Sequence, residues 1–219
     1  MTLKDLILAA RQESTDLAEP YLWSDLEWTR YANDAEREAC RRSRLIVDSK
    51  TAGVCTLSLT TAETVALDPR VLFIRRAKLA TATTPLRRLS YRDLDRNLPG
   101  WEDVTGEPYG YVPDMHTALF RPYPTPTVST TVNLTVVRLP LNDMANNVDE
   151  PEIHIRYHES LVFWMLYRAY SKQDSETLDK QKAAANLALF EAEFGKKSTA
   201  IDETWIEREH GYTDEEGVF

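Results

Sequence analysis

The sequence predicts an α+β protein in which a pair of helices at each end of the chain forms a helical bundle, with a small β domain inserted between the pairs. Apolar residues recur at helical spacing near both ends, whereas the middle changes to short runs of alternating apolar and polar residues. Most of the 11 prolines also lie in the middle, where they disfavour helices. The predicted division is residues 1–50, 51–148 and 149–197, followed by an acidic C-terminal tail at 198–219.

The first helix is predicted from about Thr2 to Leu17. Thr2 and Asp5 have the three-residue spacing of an N-terminal capping pair, and Glu19-Pro20 follows as a break. The apolar residues that share one face at helical spacing are Leu3, Leu6, Ile7, Ala10 and Leu17.

The second helix is predicted from Ser24 to about Val47 and has the clearest start signal. Ser24 and Glu27 form a capping box, and Trp23 and Trp28 occupy the positions of a hydrophobic staple. A seam of mostly small residues is expected to face the core: Leu26, Ala32, Ala35, Ala39 and Ile46. The opposite face is expected to be charged: Arg30, Asp34, Glu36, Arg37, Arg41, Arg42 and Arg44.

Short strands are predicted between Ala52 and Pro140. The runs that alternate, or that are continuously apolar, are Thr56–Leu59, Val65–Leu67, Val71–Ile74 and Val132–Val136. Pro122, Pro124 and Pro126 indicate a turn or an extended edge, because proline cannot donate a hydrogen bond into a central ladder.

Two more helices are predicted after this region. Pro151 suits the first position of a helix that extends to about Tyr170. The next helix is expected to open near Asp174 or Ser175 and to end at Phe194, where Gly195 is a stop signal.

The composition limits the classes of function. The net charge is −9, whereas a dedicated nucleic-acid-binding protein normally carries a basic excess. The chain contains neither a membrane-spanning apolar run nor a signal-peptide pattern, so we expect a soluble protein made in a cytoplasm. Cys40 and Cys55 are expected to be buried free thiols.

The motifs give little sign of chemistry, and we predict no catalytic residue, no metal and no cofactor. His154 and His158 have the spacing of two metal ligands on one helix face, but a third ligand is not evident, and surface or interface histidines are favoured. Two carboxylate pairs, Asp93 with Asp95 and Glu102 with Asp103, are better interpreted as solvated loop charge than as a glycosidase pair.

Three arginine pairs have two possible interpretations. They are Arg41-Arg42, Arg75-Arg76 and Arg87-Arg88. The favoured interpretation is ion pairing with acidic neighbours or with an adjacent subunit. The alternative is contact with phosphates inside a channel.

Several motifs, taken in order, resemble the phage adaptor proteins that lie beneath the portal of tailed phages. The likeness covers nearly the whole chain up to Gly195. The motifs are Trp23-Ser24-Asp25-Leu26, Asn33-Asp34-Ala35-Glu36-Arg37-Glu38-Ala39-Cys40-Arg41-Arg42, Leu94-Asp95, Pro99-Gly100-Trp101, Thr105-Gly106-Glu107-Pro108, Pro151-Glu152-Ile153, Tyr157-His158, Leu161-Val162, Tyr167-Arg168-Ala169-Tyr170, Asp174, Lys182-Ala183 and Phe190-Glu191-Ala192-Glu193-Phe194-Gly195.

The resemblance implies a structural subunit and not an enzyme. It implies a ring, typically of twelve copies, that docks under the portal protein, joins the tail or nozzle proteins and continues the DNA channel. Double-stranded DNA would pass through without sequence-specific binding, and no membrane is involved. The location would be the virion neck, after assembly in the host cytoplasm. Alternatives are another tail-completion or nozzle subunit, or a virion-borne glycan hydrolase that uses a carboxylate pair.

The C-terminal tail is expected to be a binding segment. Residues Ala200–Phe219 contain seven acidic residues and one arginine, a net charge of −6. Four apolar residues are candidate anchors for the portal or a neighbouring subunit: Trp205, Ile206, Tyr212 and Phe219. We expect this tail to be mobile in the free subunit and ordered on binding.

Overall fold

The computed structural model describes residues 1–114, 118–174 and 176–197 and confirms the mixed α+β class. The helices are α1 (Leu3–Ser14), α2 (Asp25–Ser43), α3 (Tyr91–Asn97), α4 (Leu161–Tyr170) and α5 (Lys180–Phe194). The strands are β1 (Ile46–Asp48), β2 (Thr56–Leu59), β3 (Val65–Ala66), β4 (Val71–Leu79), β5 (Arg87–Arg88), β6 (Gly110–Asp114), β7 (Leu119–Tyr123) and β8 (Thr130–Arg138).

The described residues divide into two compact units. Residues 1–46 and 139–197 form the helical unit, and residues 47–138 form the β unit. The core of the helical unit takes residues from α1, α2, α4 and α5, and its largest fully buried side chains include Trp23, Trp28 and Phe190. None of the described helices is both long enough and apolar enough to cross a membrane.

The β unit contains two small sheets. In the first, β8 pairs with β1, β2 and β4, and the alternating burial of β2 matches its sequence pattern. The second has the order β3-β7-β6-β5, with β5 parallel to β6. Pro122 lies in β7, but among the described residues β3 pairs with Leu119 and Phe120 and not with Pro122, whose described strand partner is in β6 alone. The extended edge predicted for this proline is therefore confirmed.

The predicted helix starts of α1 and α2 are confirmed. The Thr2 hydroxyl accepts the N–H of Asp5, and the Ser24 hydroxyl accepts the N–H of Glu27, each within a complete capping box. The rings of Trp23 and Trp28 lie 5.4 Å apart, as expected of a staple.

The predicted ends of α1 and α2 are wrong, whereas the predicted ends of α4 at Tyr170 and of α5 at Phe194, before Gly195, are confirmed. Helix α1 stops at Ser14 because Thr15 adopts the left-handed conformation, at φ 59°. Helix α2 stops at Ser43 because Arg44 does the same, and Ile46–Asp48 is a strand instead of the last helical turn.

The predicted helix from Pro151 is also wrong over its first ten residues. A single 3-10 turn at Ile155–Tyr157 precedes α4, which begins only at Leu161. Helix α5 begins later than expected as well, because Asp179 is its N-cap and accepts the N–H groups of Gln181 and Lys182.

Candidate interaction sites

Four of the six arginines in the three pairs line one groove of the β unit. Arg75 and Arg76 lie in β4, and Arg87 and Arg88 form β5. The two strands belong to different sheets, and the N–H of Leu86 donates to the carbonyl of Ala77 at 2.8 Å where they meet. The space between them is a groove of about 570 Å³, called the arginine groove below.

A β-bulge explains how two consecutive residues of β4 reach the same groove. Successive side chains of a regular strand point to opposite faces. Ile74 pairs with Val136 and Arg76 pairs with Thr135, so Arg75 is an extra residue without a partner of its own in β8. Such a bulge redirects a side chain, and both Arg75 and Arg76 are exposed.

The floor of the arginine groove is apolar and aromatic. The guanidinium carbon of Arg88 lies 5.0 Å from the ring centre of Phe73. Tyr111 is buried and stacks on Phe120, with ring centres 4.9 Å apart. Burial raises the pKa of the Tyr111 phenol, and the nearby charge of Arg88 opposes that rise only in part. Ile74 and Leu86 complete the floor.

The positive charge of this groove is not neutralised by the described part of the chain. Neither an aspartate nor a glutamate is among the described residues that line it. Ion pairs elsewhere in the β unit include Arg70 with Asp68 and Arg138 with Asp48, but none of the described ion pairs includes a groove arginine. The groove therefore presents four uncompensated cations above an apolar floor.

Arg41 and Arg42 are placed differently, because both pair with Glu38 inside the helical unit. Arg41 donates to Glu38 at 2.8 Å and its side chain is 43% exposed. Arg42 donates to the same carboxylate at 2.9 Å and to the carbonyl of Gly195 at 3.0 Å, and its side chain is only 4% exposed. Ion pairing with acidic neighbours, the favoured interpretation, thus holds for this pair, and the predicted solvent-facing position of Arg42 is wrong.

Glu36 is the second residue of the predicted charged face that is buried. It is 2% exposed and accepts the backbone N–H of Glu152 and, at 3.2 Å, that of Ile153. Burial raises its pKa to about 7 against these two hydrogen bonds, and the negative charges of Glu152 and Asp143 add to the rise. The position of Leu26 is reversed as well, since this predicted core residue is 79% exposed.

The two histidines do not share a helix face, because the helix predicted there is absent. His154 is exposed and accepts the N–H of Arg156, whereas His158 is buried. The ring of His158 lies 2.9 Å from the carbonyl of Ile153 and 3.0 Å from the amino group of Met1, so the expected surface position is wrong for this residue. Among the described residues, no cluster of three or more potential metal ligands occurs.

The carboxylate pairs have local roles. Asp93 takes part in the cap of α3, where its N–H donates to the Ser90 hydroxyl at 3.1 Å. Asp95 accepts the indole N–H of Trp101 at 2.8 Å. Glu102 and Asp103 are exposed in a 3-10 turn, as expected of solvated charge. Cys40 and Cys55 are buried free thiols, as predicted.

The sequence pattern did not predict the floor of the arginine groove or the burial of Arg11. Phe73 and Tyr111 are separated by 38 positions and become neighbours of the arginines only through the packing of the two sheets. Arg11 is buried and joins Asp16 and Asp25 at 2.9 and 2.7 Å, although its place in the helical pattern gives no hint of burial. The predicted tail anchors Trp205, Ile206, Tyr212 and Phe219 lie outside the described residues.

Compared with known protein families, residues 1–209 match the family described as SU10 adaptor protein. No curated protein matches the chain.

Proposed function

The chain belongs to the SU10 adaptor protein family, a family of phage head-to-tail adaptors, and from this premise we propose that it is a structural subunit of the adaptor ring beneath the portal. The observation that carries the proposal is the extent of the family match, which spans residues 1–209 of 219. In this role the ring, of twelve copies, docks under the portal protein, joins the tail or nozzle proteins and continues the DNA channel. The subunit assembles in the host cytoplasm and resides in the virion neck.

The two described units correspond to a helical bundle and an inserted β domain in each subunit of such a ring. We propose that the helical unit, predicted at residues 1–50 and 149–197 and described at 1–46 and 139–197, is a bundle, and that the β unit, predicted at 51–148 and described at 47–138, is a domain inserted into it. The helical core supports this assignment, because α1 and α2 share it with α4 and α5 from the other end of the chain. A shared core of this kind gives a rigid body that can be repeated around a ring.

Exposed apolar side chains of the helical unit supply a contact surface. Leu17, Leu22 and Leu26 are 62%, 45% and 79% exposed; the first two lie in the connection between α1 and α2, and Leu26 lies in the first turn of α2. An apolar side chain gains free energy when a partner removes it from water. We assign this surface to the contact with a neighbouring copy or with the portal.

The negative net charge of the chain is compatible with a channel through which DNA passes without binding to the protein. A net charge of −9 repels phosphates, and sequence-specific recognition normally needs a basic surface with side chains directed at base edges. Contact with DNA or with an adjacent subunit stays a prediction for six arginines: Arg41, Arg42, Arg75, Arg76, Arg87 and Arg88. The prediction is supported best for the last four, which line the arginine groove. The anchors Trp205, Ile206, Tyr212 and Phe219 are assigned to the portal or to a neighbouring subunit.

The mechanism proposed is mechanical and electrostatic, with no catalytic step and no cofactor. In the carboxylate pair Asp93 and Asp95, Asp93 accepts a hydrogen bond from the Ser90 hydroxyl and Asp95 accepts one from the indole of Trp101. Their hydrogen bonds are those of a helix cap and of a packed indole, which accounts for both residues without a substrate.

Sedimentation of the purified chain with its portal protein tests the proposal. We expect the chain to co-sediment with the portal and to remain separate from isolated tail or nozzle proteins until the portal is present. Binding to a tail protein alone, with no affinity for the portal, would assign the chain to a tail-completion or nozzle role and overturn the proposal.

A further inference from the structure

The arginine groove combines features that a small anion does not satisfy. Four guanidinium groups line it, and Phe73, Ile74 and Leu86 form its apolar floor. Ile74, Leu86 and Tyr111 are already buried within the subunit, so the apolar surface beside the arginines is that of the half-buried Phe73 and the exposed Pro85. A ligand that uses the whole groove must therefore carry several negative charges and, between them, a few apolar side chains that contact Phe73 and Pro85. This chemistry is that of an acidic peptide segment with interspersed aromatic residues.

We propose that the arginine groove binds the acidic C-terminal tail, residues 198–219, of a second copy of the chain. The proposal rests on the proposed function, since it supplies a contact between neighbouring subunits of the ring. It adds to that function a defined receptor surface, in the β unit, for a segment whose binding site the sequence leaves open.

Charge and composition of the two partners are complementary. The tail has a net charge of −6 over residues 200–219, and the groove carries four arginines without a described acidic partner. The planar guanidinium group donates two parallel hydrogen bonds to a carboxylate, which a lysine cannot do. Trp205, Tyr212 and Phe219 would then cover the groove floor, where the Phe73 ring lies beneath Arg88.

Charge and accessible apolar surface favour a peptide over a nucleic acid. A DNA duplex presents only phosphates and sugars to a groove of this kind and is repelled by the chain's net charge of −9, whereas the half-buried Phe73 and the exposed Pro85 can receive an aromatic side chain. The tail brings both the anionic and the apolar groups on one segment.

The second copy is favoured over the chain's own tail by the needs of assembly. A groove on one subunit that receives a segment from the next is a heterologous contact, the kind that closes into rings. A tail bound within its own subunit would contribute nothing to the interface and would occupy the groove against a neighbour.

The test is binding of a fluorescent peptide of residues 198–219 to the full-length chain, followed by anisotropy. The double variant Arg76→Glu, Arg87→Glu reverses two exposed groove charges. The matched control, Arg92→Glu with Arg96→Glu, makes the same change in net charge on exposed residues of α3, outside the groove. We expect about tenfold weaker binding for the groove variant and less than about twofold change for the control, because exposed charge pairs act mainly at short range in salt.

A charge exchange keeps the test decisive if the groove variant is damaged. The peptide with Glu203→Lys and Glu207→Lys is expected to bind the groove variant more tightly than it binds the unaltered chain. Equal weakening by both protein variants, or absence of peptide binding, would overturn the proposal. Displacement of the peptide by duplex DNA, with the same dependence on Arg76 and Arg87, would assign the groove to nucleic acid instead.

A second comparison separates the two possible sources of the tail. Full-length chain carrying Trp205→Ser, Tyr212→Ser and Phe219→Ser is expected to bind the peptide as tightly as the unaltered chain, because the proposal assigns each tail to the groove of a second copy and not to that of its own subunit. Much tighter binding by this variant would show that the chain's own tail fills the groove. Portal binding, measured separately, reports on the proposed function and distinguishes its failure from failure of this inference.

Discussion

At the start of α2, the Ser24 hydroxyl accepts the N–H of Glu27 at 3.3 Å, and the Glu27 carboxylate accepts the N–H of Ser24 at 2.9 Å. Replacing Ser24 with alanine removes one acceptor at the helix start, and we expect a loss of about 1 kcal/mol in the free energy of unfolding. Chemical denaturation measures the change. Ser24→Asp is the control, since aspartate caps equally well and should retain most of the stability. An unchanged midpoint for Ser24→Ala would show that this hydroxyl does not stabilise the helix.

Glu36 gives the helical unit a pH dependence whose sign can be worked out. Its pKa is about 7 in the folded chain against an ordinary 4.5, so the folded state retains this proton to higher pH than the unfolded state does. The contribution of this group is therefore fully present below about pH 4.5 and declines as the pH rises through 7. The decline is at most about 3 kcal/mol.

Replacing Glu36 with glutamine should flatten that decline. The amide oxygen can still accept the N–H groups of Glu152 and Ile153, but it cannot ionise. Unfolding free energies between pH 5 and pH 8 are compared for the variant, the unaltered chain and Glu159→Gln, an exposed control. If all three show the same slope, Glu36 is ionised in the folded chain at neutral pH and the assignment is wrong.

Residue types alone predicted the capping residues but not which charged side chains are buried. A cap depends on a local spacing that is visible in the sequence, as for Ser24 and Glu27. Burial of Glu36 depends on the backbone of residues 152–153, more than a hundred positions away. No local pattern records such a partner, and the helical period placed Glu36 on the solvent face.

Among the elements, α2 and the end of α5 are joined by Arg42. Its guanidinium reaches Glu38, the carbonyl of Gly195 and, at 3.5 Å, Glu191, and it lies 5.2 Å from the ring centres of Trp164 and Phe190. Replacing Arg42 with alanine removes one of the two cations that pair with the buried Glu38 and the packing against Trp164 and Phe190, and we expect a loss of about 2 kcal/mol.

The neighbouring Arg41 is the matched control for this prediction. It also pairs with Glu38, but its side chain is 43% exposed, so Arg41→Ala should cost less than about 1 kcal/mol. Thermal or chemical unfolding of the two variants measures the difference. Equal losses would mean that the contacts of Arg42 with α5 do not contribute to stability.

At this scale the starts of α1 and α2 followed from the sequence and their ends did not. Thr15 and Arg44 adopt left-handed conformations without being glycines, so the usual stop signal is missing. Residues 151–160 have helical apolar spacing, yet the N–H groups of Glu152 and Ile153 donate to Glu36 and the segment turns before α4. Strands β2 and β8 were predictable because their alternation is local. The arginine groove was not, because a bulge and the meeting of two sheets create it.

For the whole molecule, removal of the C-terminal tail tests whether assembly and folding depend on separate parts of the chain. The core residues of both units lie before Gly195 in the part of the chain that the structure describes. A chain ending at Gly195 should therefore keep the melting temperature of the full-length protein and lose affinity for the portal, because the anchors Trp205, Tyr212 and Phe219 are removed. Equal portal binding by both chains would exclude the portal as the partner of these anchors and leave only a neighbouring copy. A large fall in melting temperature would instead place the tail within the subunit's own fold.

The central claim is that this chain forms a ring on the portal. The sequence pattern contains no long, uninterrupted apolar stripe of the kind typical of obligate oligomers. The purified chain should therefore be monomeric or weakly associated by itself. Electron microscopy of the chain mixed with its portal protein is the test. We expect a ring of adaptor density at one end of the portal, coaxial with it. A tight dimer of the chain by light scattering, with no ring on added portal, would contradict it.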